Sequence, residues 1–130
     1  MLKTYLAVML GGALGTGLRL WISAGMATRY GMAFPIGTLA VNVTGSFIIG
    51  ILGAMTAPGG LLRGSLLTQQ VLIIGVLGGF TTFSAFSLQT LDLFLAGHWF
   101  RAVSNVLLSV GLCLFAVAFG HFVAMAFHQR

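Results

Sequence analysis

The sequence predicts an all-α integral membrane protein: four transmembrane helices, the third of them broken. Three observations lead there. The chain has 130 residues, 58% of them hydrophobic and only 5% charged, with a mean hydropathy of +1.08. A water-soluble domain of this size could not cover itself with so few charges, so its solvent is lipid. At roughly 20 residues per crossing, the length accommodates about four spans and little else. Finally, the third apolar run is interrupted near its middle by Gly78-Gly79 and Thr81-Thr82, a poor interior for a helix.

The first span is predicted at about residues 4–26, after Lys3, with glycines at 11, 12, 15 and 17 running through it. A basic start and a short apolar run also fit a signal peptide. Against that, Gly11 and Gly15 form a small-xxx-small helix-packing pair, and Arg19 is awkward just before a cleavage region. A loop, Thr28 to Phe34, leads to Pro35, which is placed to open the second span at about residues 36–55. Ala57-Pro58-Gly59-Gly60 then marks a turn. The third span, about residues 66–95, is too long for one straight crossing, and its surplus falls at the break. Gly97 is a C-cap candidate, and the fourth span follows at about residues 101–127. Neither repeats nor linkers divide the chain, so residues 1–130 form a single domain.

Composition also limits function. The net charge of +5 comes from six scattered basic residues, which is no nucleic-acid footprint. The lone Cys113 can form no internal disulfide and reads as a packing residue. His98, His121 and His128 lack ligand spacing, and one acid, Asp92, cannot support paired-carboxylate chemistry. The chain does not read as an enzyme.

Polar groups within the spans are the informative residues, because lipid satisfies none of them. Asn42 is either a helix–helix hydrogen bond or an N–H donor aimed at an anion. Ser84, Ser87 and Ser109 carry the same ambiguity, since serines often bond their own helix. Phe83 and Phe86, three residues apart, share a helix face; they are a packing pair or a pair of electropositive ring edges facing an anion. Arg19 either snorkels or draws anions to a vestibule. Asp92 is interfacial or pairs with a base such as Arg19. If the helix unwinds between Gly78 and Thr82, its carbonyls are free to coordinate a hard cation. Two copies paired across the break would double their number.

Orientation is barely encoded. With both termini on one side, Lys3, Arg63 and Arg130 oppose Arg19, Arg29 and Arg101, three against three. The balance fits a weak one-sided preference or insertion both ways with antiparallel pairing.

Taken together, Gly75-Val-Leu-Gly-Gly-Phe-Thr-Thr-Phe-Ser-Ala-Phe-Ser87, Gly37-Thr-Leu-Ala-Val-Asn42 and Gly15-Thr-Gly-Leu-Arg19 resemble the Fluc/CrcB fluoride channels over essentially the whole chain. The resemblance implies an antiparallel, dual-topology homodimer in the bacterial inner membrane, with two pores that passively export fluoride. It implies a structural sodium ion (Na+) at the dimer centre, on the backbone carbonyls of Gly78 and Thr81. Phe83 and Phe86 would face fluoride, Asn42 would donate from the second span, Asn105 and Ser109 would line the path from the fourth, and Arg19 would stand at a vestibule. Two departures matter. Ala85 stands where the family usually has threonine, and Gln89 where it has glutamate, so the polar track carries over only as Thr82, Ser84 and Ser87. A small multidrug exporter, also four-helical, needs a carboxylate in the first span, and this chain has none there. A non-transporting scaffold has no use for a broken helix.

Overall fold

In the computed structural model, residues 1–57 and 66–128 are described, the last by its backbone only. The turn expected at Pro58-Gly59-Gly60, Arg63, and the Gln129-Arg130 tail lie outside them. The chain is all-helical there: α1 (Leu2–Tyr30), α2 (Ile36–Thr56), α3 (Leu66–Gln69), a π-helical stretch (Gln70–Leu77), α4 (Gly78–Phe80), α5 (Phe83–Leu95) and α6 (Trp99–His128). Four stretches, the third being Leu66–Leu95, are long and apolar enough to cross a membrane.

Boundaries agree with the sequence except at two ends. α1 continues through Thr28 and Arg29 to Tyr30, shortening the expected loop. The Thr28 hydroxyl donates back to the Gly25 carbonyl at 2.9 Å, so the polar residues extend the helix. Gly31, at φ 78°, ends it. α6 starts at Trp99, two residues before Arg101, because Gly97 (φ 78°) turns the chain tightly after α5. The His98 N–H reaches the Leu93 carbonyl at 2.9 Å and the Gly97 N–H reaches Phe94 at 3.0 Å, a Schellman closure with Gly97 as the left-handed residue.

Small residues set the packing. α1 lies against the π-helical stretch and α4, and α2 lies along α6. A Cβ on Gly15 would overlap the Val76 carbonyl oxygen, and one on Gly79 would overlap that of Gly12. Across the α2–α6 seam, a Cβ on Gly50 would strike the Val117 carbonyl and one on Gly120 that of Phe47. Without a hydrophobic drive between helices in lipid, such backbone contact is the main source of association. The Gly11–Gly15 pair therefore does what its spacing indicated. The buried apolar core is small: Val41, Leu77, Phe80, Phe86, Ala102 and Ala116. Most other large apolar side chains face outward, as lipid permits.

Candidate functional site

The break is two residues long and lies later than the glycines. Gly78 keeps helical angles (φ −63°, ψ −36°), whereas Thr81 (φ −83°, ψ 158°) and Thr82 (φ −153°, ψ 114°) are extended. Gly79 brings α4 against α1, where a Cβ would meet the Gly12 carbonyl oxygen, and the threonines unwind. β-branched residues prefer that extended backbone. The irregularity also begins earlier than the sequence suggested, with the π-helical turns from Gln70 to Leu77. An apolar run such as Val71-Leu-Ile-Ile-Gly-Val-Leu77 gives no signal that separates π from α winding.

Asn42 holds the break open. Its Oδ1 accepts the Thr82 N–H at 2.7 Å and its Nδ2 donates to the Thr82 carbonyl at 3.0 Å. The backbone's own polarity therefore fixes which way the amide points. In a continuous helix the Thr82 N–H would close on Gly78, four residues back. Asn42 takes that donor, and the Gly78 carbonyl loses its helical partner. The Leu77 carbonyl keeps its ordinary helical partner, the Thr81 N–H, and also accepts the Thr81 hydroxyl, both at 2.9 Å. The Thr16 hydroxyl reaches the Gly79 carbonyl at 3.4 Å. Thr82 then caps α5, its hydroxyl accepting the Ala85 N–H at 3.2 Å and lying 3.3 Å from the Ser84 hydroxyl. Position 85 contributes its backbone to this cap, so alanine costs the cap nothing.

A cavity of about 400 Å³ opens beside the break, bounded by Asn42, Gly78, Thr81, Thr82, Phe83, Phe86 and Ser109 among others. Seven residues singled out in the sequence thus meet in one place. Phe83 and Phe86 have ring centroids 5.3 Å apart, tilted at 51°. Phe86 is buried, while Phe83 is 77% exposed on the single chain. Gly45, Ser46 and Cys113 also border the space. Cys113 had been read as packing only; its lining position follows from standing one turn beyond Ser109 on α6.

Asn105 is 1% exposed and stands behind this wall. Its Nδ2 donates to the Thr90 hydroxyl at 2.8 Å, and the Ser109 hydroxyl lies 3.5 Å from its Oδ1. Thr90 in turn donates to the Phe86 carbonyl at 2.7 Å. The sequence reading missed Thr90, although its four-residue spacing from Phe86 could have found it. Ser84 and Ser87 are exposed and do not border the cavity; Ser87 bonds back to the Phe83 carbonyl at 2.9 Å. Arg19 is half-buried in α1 and borders neither large cavity.

A second cavity, about 320 Å³, lies where α1 and α5 end and α2 begins, bordered by Ser23, Thr38, Gln89 and Asp92. The Gln89 Oε1 is buried there and, among the described residues, has no hydrogen-bond partner. Asp92 is exposed and, among the described residues, pairs with no base.

Four apolar crossings, one unwound over two residues around a small, sparsely polar cavity, define a multi-pass membrane protein with an irregular third helix. Residues 6–121 match the family model described as CrcB-like protein, Camphor Resistance (CrcB). The chain is 50% identical over 128 residues to a protein of Opitutus terrae named fluoride-specific ion channel FluC, covering 98% of this chain and 97% of that one. Proteins of the same name from Methylocella silvestris (46% identical; 96% and 95% covered) and Rhodospirillum rubrum (45%; 97% and 98%) align equally fully. The chain belongs to the CrcB family.

Proposed function

We propose that this protein is a fluoride-selective channel of the bacterial inner membrane that lets fluoride leave the cell passively. The observation that carries the reading is its 50% identity, over nearly the full length of both chains, to a protein named for that activity. The local chemistry agrees. Fluoride is small and strongly hydrated, so a selective path must replace its water with donors and positive ring edges at close range. Phe83 and Phe86 bring two rings to one cavity, and their tilt keeps the rings from covering each other, which suits edges offered to an anion. Asn42 spends one Nδ2 hydrogen on Thr82 and keeps the other. The Ser109 and Thr82 hydroxyls add adjustable donors at the same wall. Ser84 and Ser87, exposed outside that cavity, would line the pore only once a second copy encloses them, and Asn105 supports the wall from behind. Arg19 raises the local anion concentration at a vestibule.

The working unit in this reading is an antiparallel homodimer with two pores. Phe83 is 77% exposed and the cavity beside it opens at the surface, which suits a second copy closing over it. Six basic residues split evenly between the two sides favour insertion both ways. The break fits a structural sodium ion. The Gly78 carbonyl is released by Asn42, and Thr81 is extended, so each chain offers these two oxygens and a facing pair of chains offers four. Such an ion would supply fixed positive charge at the seam between the copies.

Purified protein in liposomes, followed with a fluoride electrode, tests the reading. Rapid fluoride release without a proton gradient or ATP is expected. Slow release, or chloride release at the same rate, rejects it.

A further inference from the structure

α5 is tied to the rest of the chain by few polar groups, and these are arranged along a line. Thr82, Phe86 and Thr90 are spaced four residues apart and so form one stripe of α5, facing α2 and α6. Asn42 of α2 grips the stripe at Thr82 through two hydrogen bonds, at 2.7 and 3.0 Å. Asn105 of α6 grips it at Thr90, at 2.8 Å. The two grips are eight residues apart, about 12 Å along the axis. Phe86, the one buried residue of α5, lies midway.

A helix held at one point can swivel about it; a helix held at two points on one face cannot. A rotation of one residue position, about 100°, would replace Phe86 on the inner face by a neighbour. We propose that Thr90 is a positioning residue. Its hydroxyl, accepting from Asn105 and donating to the Phe86 carbonyl, sets the rotation of α5 and so the angle at which Phe86 presents its edge to the anion. Asn105, 1% exposed, acts through Thr90. The same fixed rotation keeps Phe83, Ser84 and Ser87 on the outward face. This inference rests on the fluoride-channel reading for its functional consequence, and on the hydrogen bonds alone for its structural one.

The test compares Thr90→Val, Thr90→Ala and Thr90→Ser in reconstituted full-length protein. Two readouts are followed: fluoride efflux, and the ¹⁹F line of 4-fluorophenylalanine placed at position 86. Loss of the hydroxyl takes from the buried Asn105 amide the acceptor that it uses on α5. Fluoride efflux in Thr90→Val and Thr90→Ala is expected to fall roughly tenfold or more, with the Phe86 line shifted or broadened. Thr90→Ser keeps the hydroxyl and is expected to match the wild type in both readouts. The proposal is overturned if either hydroxyl-free variant conducts and resonates like the wild type. It is equally overturned if Thr90→Ser loses as much as they do, since the methyl would then be what matters. A wild-type protein that releases no fluoride defeats the channel reading instead, and the ¹⁹F line still decides whether Thr90 orients Phe86.

Discussion

Asn42→Ala is the perturbation with the sharpest consequence, because it removes the group that keeps the third span open. The wild-type amide makes two bonds to the Thr82 backbone, at 2.7 and 3.0 Å, in a residue only 9% exposed. Interhelical side-chain bonds in membranes average about 0.6 kcal/mol and reach about 1.7, so two of them bracket about 1.2 to 3.4 kcal/mol. Burial of Thr82 favours the upper half of that range, since water cannot replace the lost partners. Part of the loss is recoverable: the Thr82 N–H can return to the Gly78 carbonyl and rebuild an α-helical turn. The carbonyl of Thr82 keeps the bond that it accepts, as the N-cap of α5, from the first turn of that helix. A net cost of about 2 kcal/mol is the expectation, equivalent to roughly 30-fold in the open geometry. Amide exchange at Thr82, read by NMR in detergent micelles, reports it directly. Protection should fall roughly 30-fold, with neighbouring α2 amides unchanged. Fluoride efflux should collapse in parallel. Unchanged exchange at Thr82 with fluoride efflux also unchanged would mean that Asn42 does not hold the break and does not free the Gly78 carbonyl.

Other expectations follow from the same contacts. Gly15→Ala drives a Cβ into the Val76 carbonyl and to 2.8 Å from the Phe80 amide nitrogen, so the detergent melting temperature should drop. The cost should be about 1–3 kcal/mol, whereas Gly17→Ala, with nothing within 4 Å, should leave melting unchanged or slightly raised. Phe83→Ile should abolish fluoride selectivity while leaving the single chain's fold intact, since that ring is 77% exposed; Phe86→Ile, at 8%, should lower both. Replacing sodium by a large organic cation should dissociate or inactivate the assembly, and indifference to sodium would remove any role for the Gly78 and Thr81 oxygens. Reporter tags at both termini should be found on both faces of the membrane, and a single orientation would end the antiparallel arrangement.

The four spans were legible because hydropathy and length act locally and leave no competing solution. So was the Gly11–Gly15 contact surface, since small residues at four-residue spacing have few other uses in lipid. The position of the break was only half legible. Sequence reasoning bracketed it between Gly78 and Thr82, yet within that stretch Gly78 and Gly79 stay helical and only the threonines unwind. What decides the matter is Asn42, forty residues away, whose amide competes for the Thr82 N–H. A partner that distant cannot be read from local propensity. The π-helical winding before the break was invisible for a related reason: it changes the bonding of an apolar run without changing its composition.

Asn42 and Asn105 carry the larger physical point. Each is an amide in an apolar helix, and each spends its main hydrogen bonds on the third span: Asn42 on the Thr82 backbone, Asn105 on the Thr90 hydroxyl. In lipid an unpaired amide is costly wherever it sits, so pairing both with one segment stabilises that segment's irregular geometry relative to a straight helix. The two grips also divide the work. Asn42 fixes where the helix stops being a helix, which frees a carbonyl; Asn105 fixes how the resumed helix is turned, which aims a ring. On the proposed reading, backbone oxygens offered to a cation and rings offered to an anion then lie a few residues apart on one segment without either drifting onto the other's face. Losing either amide should therefore uncouple the two, and the Thr82 exchange rate and the Phe86 line report each half separately.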